Sequence, residues 1–154
     1  MRGATALQNW KEITFDDESM WPPTGKVTLP SANADERGAI QPLVDTPMKN
    51  VSLILSKKGS VRSNHHHMSD WHYMYVLRGS FDYYWRAAGS AAAPSVVRVT
   101  QGEMLFTPPM EDHATVFLAD TELVVASRNP RDQATYEADV RRILLVDPAT
   151  VVVP

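Results

Sequence analysis

Residues 59–79 read GSVRSNHHHMSDWHYMYVLRG, and the reading of this stretch decides the fold. His65 and His67 stand two apart, so on a β-strand they share one face while His66 points to the other. His72 opens a second β-like run, HYMYVLR (72–78), and shares a face with Met74 and Val76. A fourth imidazole comes from far along the chain. Residues 102–117, GEMLFTPPMEDHATVF, carry His113 just beyond a Pro-Pro break. The chain has only five histidines, and four of them lie within 59–79. Neutral imidazole ligates Zn, Fe, Ni and Cu well, so this grouping suits a metal site. An HHH run also occurs in tags, but tags sit at termini and this one lies inside a strand-rich region.

Working outward, short β-like runs recur from Ala39 onward: AIQPLVD (39–45), VSLILSK (51–57), HYMYVLR (72–78), SFDYYWR (80–86), SVVRVT (95–100), EMLFT (103–107), ATVFL (114–118) and ELVVASR (122–128). Turn residues separate them, as in KKGS, RGS, AAGSAAAP and QGE. Many short strands at short spacing predict an all-β sandwich or closed barrel over 39–128. Residues 1–38 are rich in breakers such as WPPTG and LPSANADERG, and read as an arm or loop-rich lead-in. Residues 129–154 read as a C-terminal helix and tail. Asn129 suits the helix cap, Pro130 its first turn, and Tyr136, Val140 and Ile143 form an apolar stripe that packs on the outside of the barrel. The tail LLVDPATVVVP suits an added edge strand or contact with a second subunit.

Composition narrows the function classes. A chain of 154 residues suits one domain, with 44 % hydrophobic and 21 % charged residues. There is no cysteine, which removes disulfides, thiolate zinc sites and cysteine nucleophiles, and is compatible with a cytoplasmic home. The net charge of −3 gives no basis for nucleic-acid binding. No apolar run approaches a membrane span, and the first 20 residues lack the apolar core of a signal peptide.

The two histidine stretches resemble the motifs of the cupin superfamily. The first motif, G-x5-H-x-H-x3,4-E-x6-G, is matched by Gly59, His65, His67, His72 and Gly79, with His72 where the family usually has glutamate. The second, G-x5-P-x-G-x2-H-x3-N, is matched by Gly102, Pro108 and His113, while Met110 and Phe117 replace its second glycine and its asparagine. The resemblance implies a cupin double-stranded β-helix, a jelly-roll barrel. It also implies one divalent transition-metal ion per chain (Fe, Ni, Zn, Cu or Mn) held by His65, His67, His72 and His113. Four neutral histidines leave such an ion one unit more positive than the usual three-His-one-carboxylate set, which favours anionic or enolate-forming ligands.

Other residues near the motifs are candidates for substrate binding. Arg62 suits an anionic group. Tyr83 and Trp85 share a face with Phe81 and serve either the core or a pocket. Asp70, Glu111 and Asp112 flank the histidines, as solvated loop carboxylates or as partners that orient a ring. The resulting expectation is a metal-dependent cupin enzyme, dioxygenase-like or isomerase-like, acting on a small oxygenated or anionic metabolite. The alternatives are a non-catalytic metal- or ligand-binding module and a metal-free sugar-ketoisomerase type that uses histidine and tyrosine as acid and base. The stretch DWHYMYVL…G…YY…R (70–86) also resembles small cupins of deoxysugar or bacterial secondary metabolism. A homodimer is expected, pairing through outer sheets.

Overall fold

A computed structural model describes residues 18–23 and 25–154. Residues 1–17 and 24 of the anticipated lead-in (1–38) lie outside the described residues. A small hairpin comes first, β1 (Asn33–Asp35) with β2 (Gly38–Ile40). Then follow β3 (Asn50–Ser56), β4 (Val61–His67), β5 (His72–Arg78), β6 (Ser80–Ala87), β7 (Ser95–Thr100), β8 (Met104–Thr107), β9 (Glu111–Phe117) and β10 (Thr121–Ser127). Helix α1 (Gln133–Asp139) leads directly into β11 (Val140–Arg142).

The main strands form two antiparallel sheets, ordered β3-β10-β5-β8 and β11-β4-β9-β6-β7. Between β3 and β11 the chain changes sheet at every connection except β6 to β7, so neighbours in a sheet are distant in sequence. The facing sides carry the core. Met74 and Val76 of β5, Phe81 and Tyr83 of β6, Val99 of β7, Leu105 of β8, Phe117 of β9, and Leu123 and Val125 of β10 form one buried cluster. Burying each such aliphatic or aromatic side chain stabilises the fold by about 1.5–3 kcal/mol. The tight β5–β6 turn requires glycine: Gly79 has φ +90, and a Cβ there would meet Asp120 O at 2.6 Å.

Several sequence expectations change. The run 39–45 is strand only as far as Ile40, because Pro42 interrupts it. β4 is a polar strand, VRSNHHH, and no hydrophobic alternation announces it. The C-terminal helix is shorter and starts later. Asp132, not Asn129, is its cap, accepting from Thr135 N–H. Val140 leaves the helix to pair with His67 as part of the edge strand β11. Beyond it, Asn64 holds the tail: its Oδ1 accepts from Leu145 N and Val146 N, and its Nδ2 donates to Val146 O.

Candidate active site

β4 gathers the site through a bulge. Ser63 pairs with Ala114 and His65 with His113, so Asn64 is an extra residue in the ladder. Ser63 and Asn64 take left-handed backbone, φ 72 and 55. Arg62 pairs with Thr115, two residues along β9 from His113. Arg62 and His65 therefore face the same side although they stand three apart in sequence. Without the bulge, Arg62 would point away from the histidines.

His65, His67, His72 and His113 meet between the sheets, as the spacing implied. The His65 ring lies 4.7 Å from that of His67 and 4.8 Å from that of His113, and the His67 ring lies 4.6 Å from that of His72. Donor atoms of His65, His67 and His113 lie within 4.8 Å of one another, as do those of His67, Asp70 and His72. These are two overlapping trios that share His67. His66 faces the other way, its Nδ1 2.8 Å from Asp112 Oδ1, while Arg86 Nε donates to Asp112 Oδ2.

Each ring of the cluster is set by a different partner. His113 Nδ1 lies 2.9 Å from the carbonyl oxygen of Glu111; a carbonyl only accepts, so Nδ1 carries the proton and Nε2 the lone pair. Burial, with the neighbouring histidines, pushes His113 down to about 3 despite that bond. Burial likewise pushes His65 far below the ordinary imidazole value. His67 is pushed to about 4, again chiefly by burial, with Asp70 and Asp139 opposing. Its Nδ1 lies 3.3 Å from Asp139 Oδ2, and its buried Nε2 has no hydrogen-bond partner among the described residues. A buried nitrogen with a free lone pair is suited to meet a bound molecule.

His72 differs from the other three. Its Nε2 lies 2.9 Å from Asp70 Oδ2, and both residues are buried. Burial raises the Asp70 carboxyl, but His72 and the Asn129 N–H on Oδ1 outweigh it and hold the acid below its ordinary value. The ionised Asp70 therefore accepts from Nε2–H, which leaves Nδ1 of His72 free to take a proton. An imidazolium formed there would rest against a buried carboxylate. Asp70 and Asp112 are thus buried partners of rings rather than solvated loop groups, which corrects the simpler of the two expectations for them.

A cavity of about 140 Å³ runs beside the cluster, lined by His65, His72, His113, Arg62, Thr115, Arg131 and Tyr136. Arg62 is anchored by Nε to Ser56 Oγ and by Nη2 to the Leu55 carbonyl. Tyr136, expected on the outside of the barrel, instead sits over the histidines, with its ring 6.1 Å from His65 and 5.9 Å from His67. Burial raises its hydroxyl above the ordinary phenol value, so the group stays protonated and able to donate. Asp139, at the end of the same helix, accepts from Ser69 N, Ser69 Oγ and Asp70 N. The helix that carries Tyr136 is thereby tied to the loop that positions Asp70. Tyr136, Arg131 and Asp139 were not legible as site residues, because the helical stripe read only as packing. Tyr83 and Trp85 line a separate, larger cavity, although the Tyr83 ring stacks on His113 at 5.9 Å.

No protein-family profile matches the chain, and no curated protein matches it in sequence. Solved structures do match in fold. A 3,4-ketoisomerase from Helicobacter canadensis aligns with TM-score 0.60 at 16 % identity, over 73 % of this chain and 85 % of that one. The sugar 3,4-ketoisomerase QdtA from Thermoanaerobacterium thermosaccharolyticum, in complex with TDP, aligns with TM-score 0.59 at 18 % identity, over 73 % and 82 %. The dTDP-4-dehydrorhamnose 3,5-epimerase from Sulfolobus tokodaii aligns with TM-score 0.60 at 17 % identity, over 77 % of each chain.

These likenesses correct the expected cofactor. The ketoisomerases and epimerases among the matched structures need no metal ion, so one divalent ion per chain is not retained. Locally, His72 is paired with Asp70 and His67 approaches Asp139, so two of the four expected ligands already have carboxylate partners. Among the described residues no helix is long and apolar enough to cross a membrane. The two facing antiparallel sheets and the matched structures together place the chain among the cupin-type jelly-roll barrels.

Proposed function

We propose that the chain is a metal-free isomerase of the sugar-ketoisomerase type, which moves a carbonyl to the neighbouring carbon by histidine and tyrosine acid–base chemistry. The observation that carries this reading is the buried Asp70–His72 pair beside neutral histidines and beneath Tyr136. In the proposed reaction His72 Nδ1 removes the proton from the carbon beside the substrate carbonyl. Asp70 stabilises the imidazolium that forms. The electron pair becomes the double bond of an enediol as the carbonyl oxygen takes a proton from Tyr136. The adjacent hydroxyl then gives a proton back to Tyr136 and becomes the new carbonyl. His72 returns its proton to the former carbonyl carbon. No proton or electron is gained or lost overall. Arg62 and Arg131 at the same cavity suit the negative charge of a sugar nucleotide.

TDP-4-keto-6-deoxyglucose, the ligand in one matched structure, is the first substrate to test. In D₂O the chain should place deuterium on the carbon beside the carbonyl and yield the 3-keto isomer, both visible by NMR. Tyr136→Phe should slow conversion by roughly a hundredfold. Exchange at the rate of buffer alone, with this and related keto sugar nucleotides, would reject the reading. We further propose a cytoplasmic homodimer. Its support is the stripe Val51, Leu53 and Leu55, which β3 turns outward, each residue at least 60 % exposed.

A further inference from the structure

A second cavity, of about 550 Å³, shares the Tyr83 ring with the histidine cluster but is lined by other groups. It is walled by the rings of Trp21, Trp85 and Phe106 together with proline, valine and glycine, and among the described residues Lys26 and Glu111 are its charged side chains. We propose that this cavity binds a small organic ammonium compound, its charge against the Glu111 carboxylate and its carbon skeleton against the rings of Trp21, Trp85 and Phe106.

The charges of the lining select that ligand class. The Lys26 ammonium is already held by Glu103, 3.0 Å from each carboxylate oxygen. Among the described residues the Glu111 carboxylate has one hydrogen bond, from the Tyr83 hydroxyl to Oε2 at 2.6 Å, and no cationic group is paired with it. A carboxylate set in an apolar wall without a counter-charge is costly to keep ionised. A bound cation would supply the missing counter-charge. The aromatic faces would add to it, because a ring quadrupole attracts a cation more strongly once water is excluded. A neutral ligand would bury Glu111 further and give nothing back. An anion would face a carboxylate and a lysine already paired. This reading concerns a different cavity from the proposed reaction and stands apart from it.

Calorimetry and tryptophan fluorescence with 2-phenylethylammonium and its neutral counterpart 2-phenylethanol test the proposal on the unmodified chain. The ammonium should bind at least about tenfold more tightly than the alcohol. Glu111→Gln keeps an acceptor for Tyr83 and should bring the two affinities to parity. Trp85→Leu should weaken the ammonium. Equal binding of alcohol and ammonium, or no saturable binding of the ammonium, overturns the proposal. So does undiminished ammonium binding in a folded Glu111→Gln variant. If that variant fails to fold, the comparison of the two ligands on the unmodified chain decides alone.

Discussion

His72 stands where the related motif usually has glutamate, and its surroundings give the replacement a chemical meaning. A carboxylate at position 72 would face the Asp70 carboxylate at hydrogen-bond distance; imidazole instead makes a complementary pair with it. Asp70→Asn should therefore fold, keep substrate affinity within a few fold, and lower kcat by roughly a hundredfold, since the protonated His72 loses its counter-charge. A KM-against-kcat comparison checks this. The buried rings also set the acid stability. His65, His67 and His113 have values lowered from 6.5, so below that pH the unfolded chain binds protons that the folded chain refuses. Each then costs up to about 1.4 kcal/mol per pH unit as pH falls. Glu111, raised from 4.5 to about 7, works in the opposite sense, and its contribution is lost as pH rises through that window. Three groups outweigh one, so the melting temperature should be clearly lower at pH 5 than at pH 6.5. An equal melting temperature at the two values would contradict the neutral cluster. The histidine positions were legible because the two-residue period of a strand fixes their faces. Asp70 was legible only as a neighbour, because its burial depends on Asn129 and Asp139, some sixty and seventy residues away.

Among the elements, β4 and α1 do most to build the site, and both were read incompletely. The β-runs rich in Val, Ile, Leu, Tyr and Phe announce themselves by composition, and β5 and β7 fall on the residues anticipated. β4 offers no such pattern: its polar residues are satisfied by partners on β9, β11 and the tail, which no local window contains. Its bulge at Asn64 brings Arg62 to the histidine side, and the Asn64 side chain makes three hydrogen bonds to the tail. Asn64→Ala should cost about 2–3 kcal/mol, combining the lost bonds with the left-handed backbone. Asn64→Gly should recover the backbone share, about 1 kcal/mol, and not the rest. Denaturant unfolding of both variants separates the two contributions. Equal losses would mean that the backbone at this position is not strained. Helix α1 was read as packing on the outside because periodicity reveals an apolar face but not what it covers; here Tyr136 covers histidines.

Taken as a whole, the molecule is a cupin-type barrel in which Tyr83 lines the larger aromatic cavity and stacks on His113 of the histidine cluster. The barrel was legible from strand number, turn spacing and two motifs in register. The metal inferred from those motifs was not retained, because the same histidine spacing serves proton transfer as well as coordination. The outer face of β3 should join a second copy, so light scattering at micromolar concentration should give twice the chain mass. Leu53→Glu on that face should return the monomer without unfolding it. A monomer for the parent chain would remove the dimer. The central claim is proton transfer by His72 without a metal ion, and one measurement meets it directly: deuterium uptake into TDP-4-keto-6-deoxyglucose, before and after exhaustive chelation, with the metal content of both samples determined. The account predicts that the chelated protein, at well under one ion per chain, exchanges at the rate of the untreated protein and that His72→Gln does not exchange. Loss of exchange on chelation and its return with a stoichiometric divalent ion would contradict it.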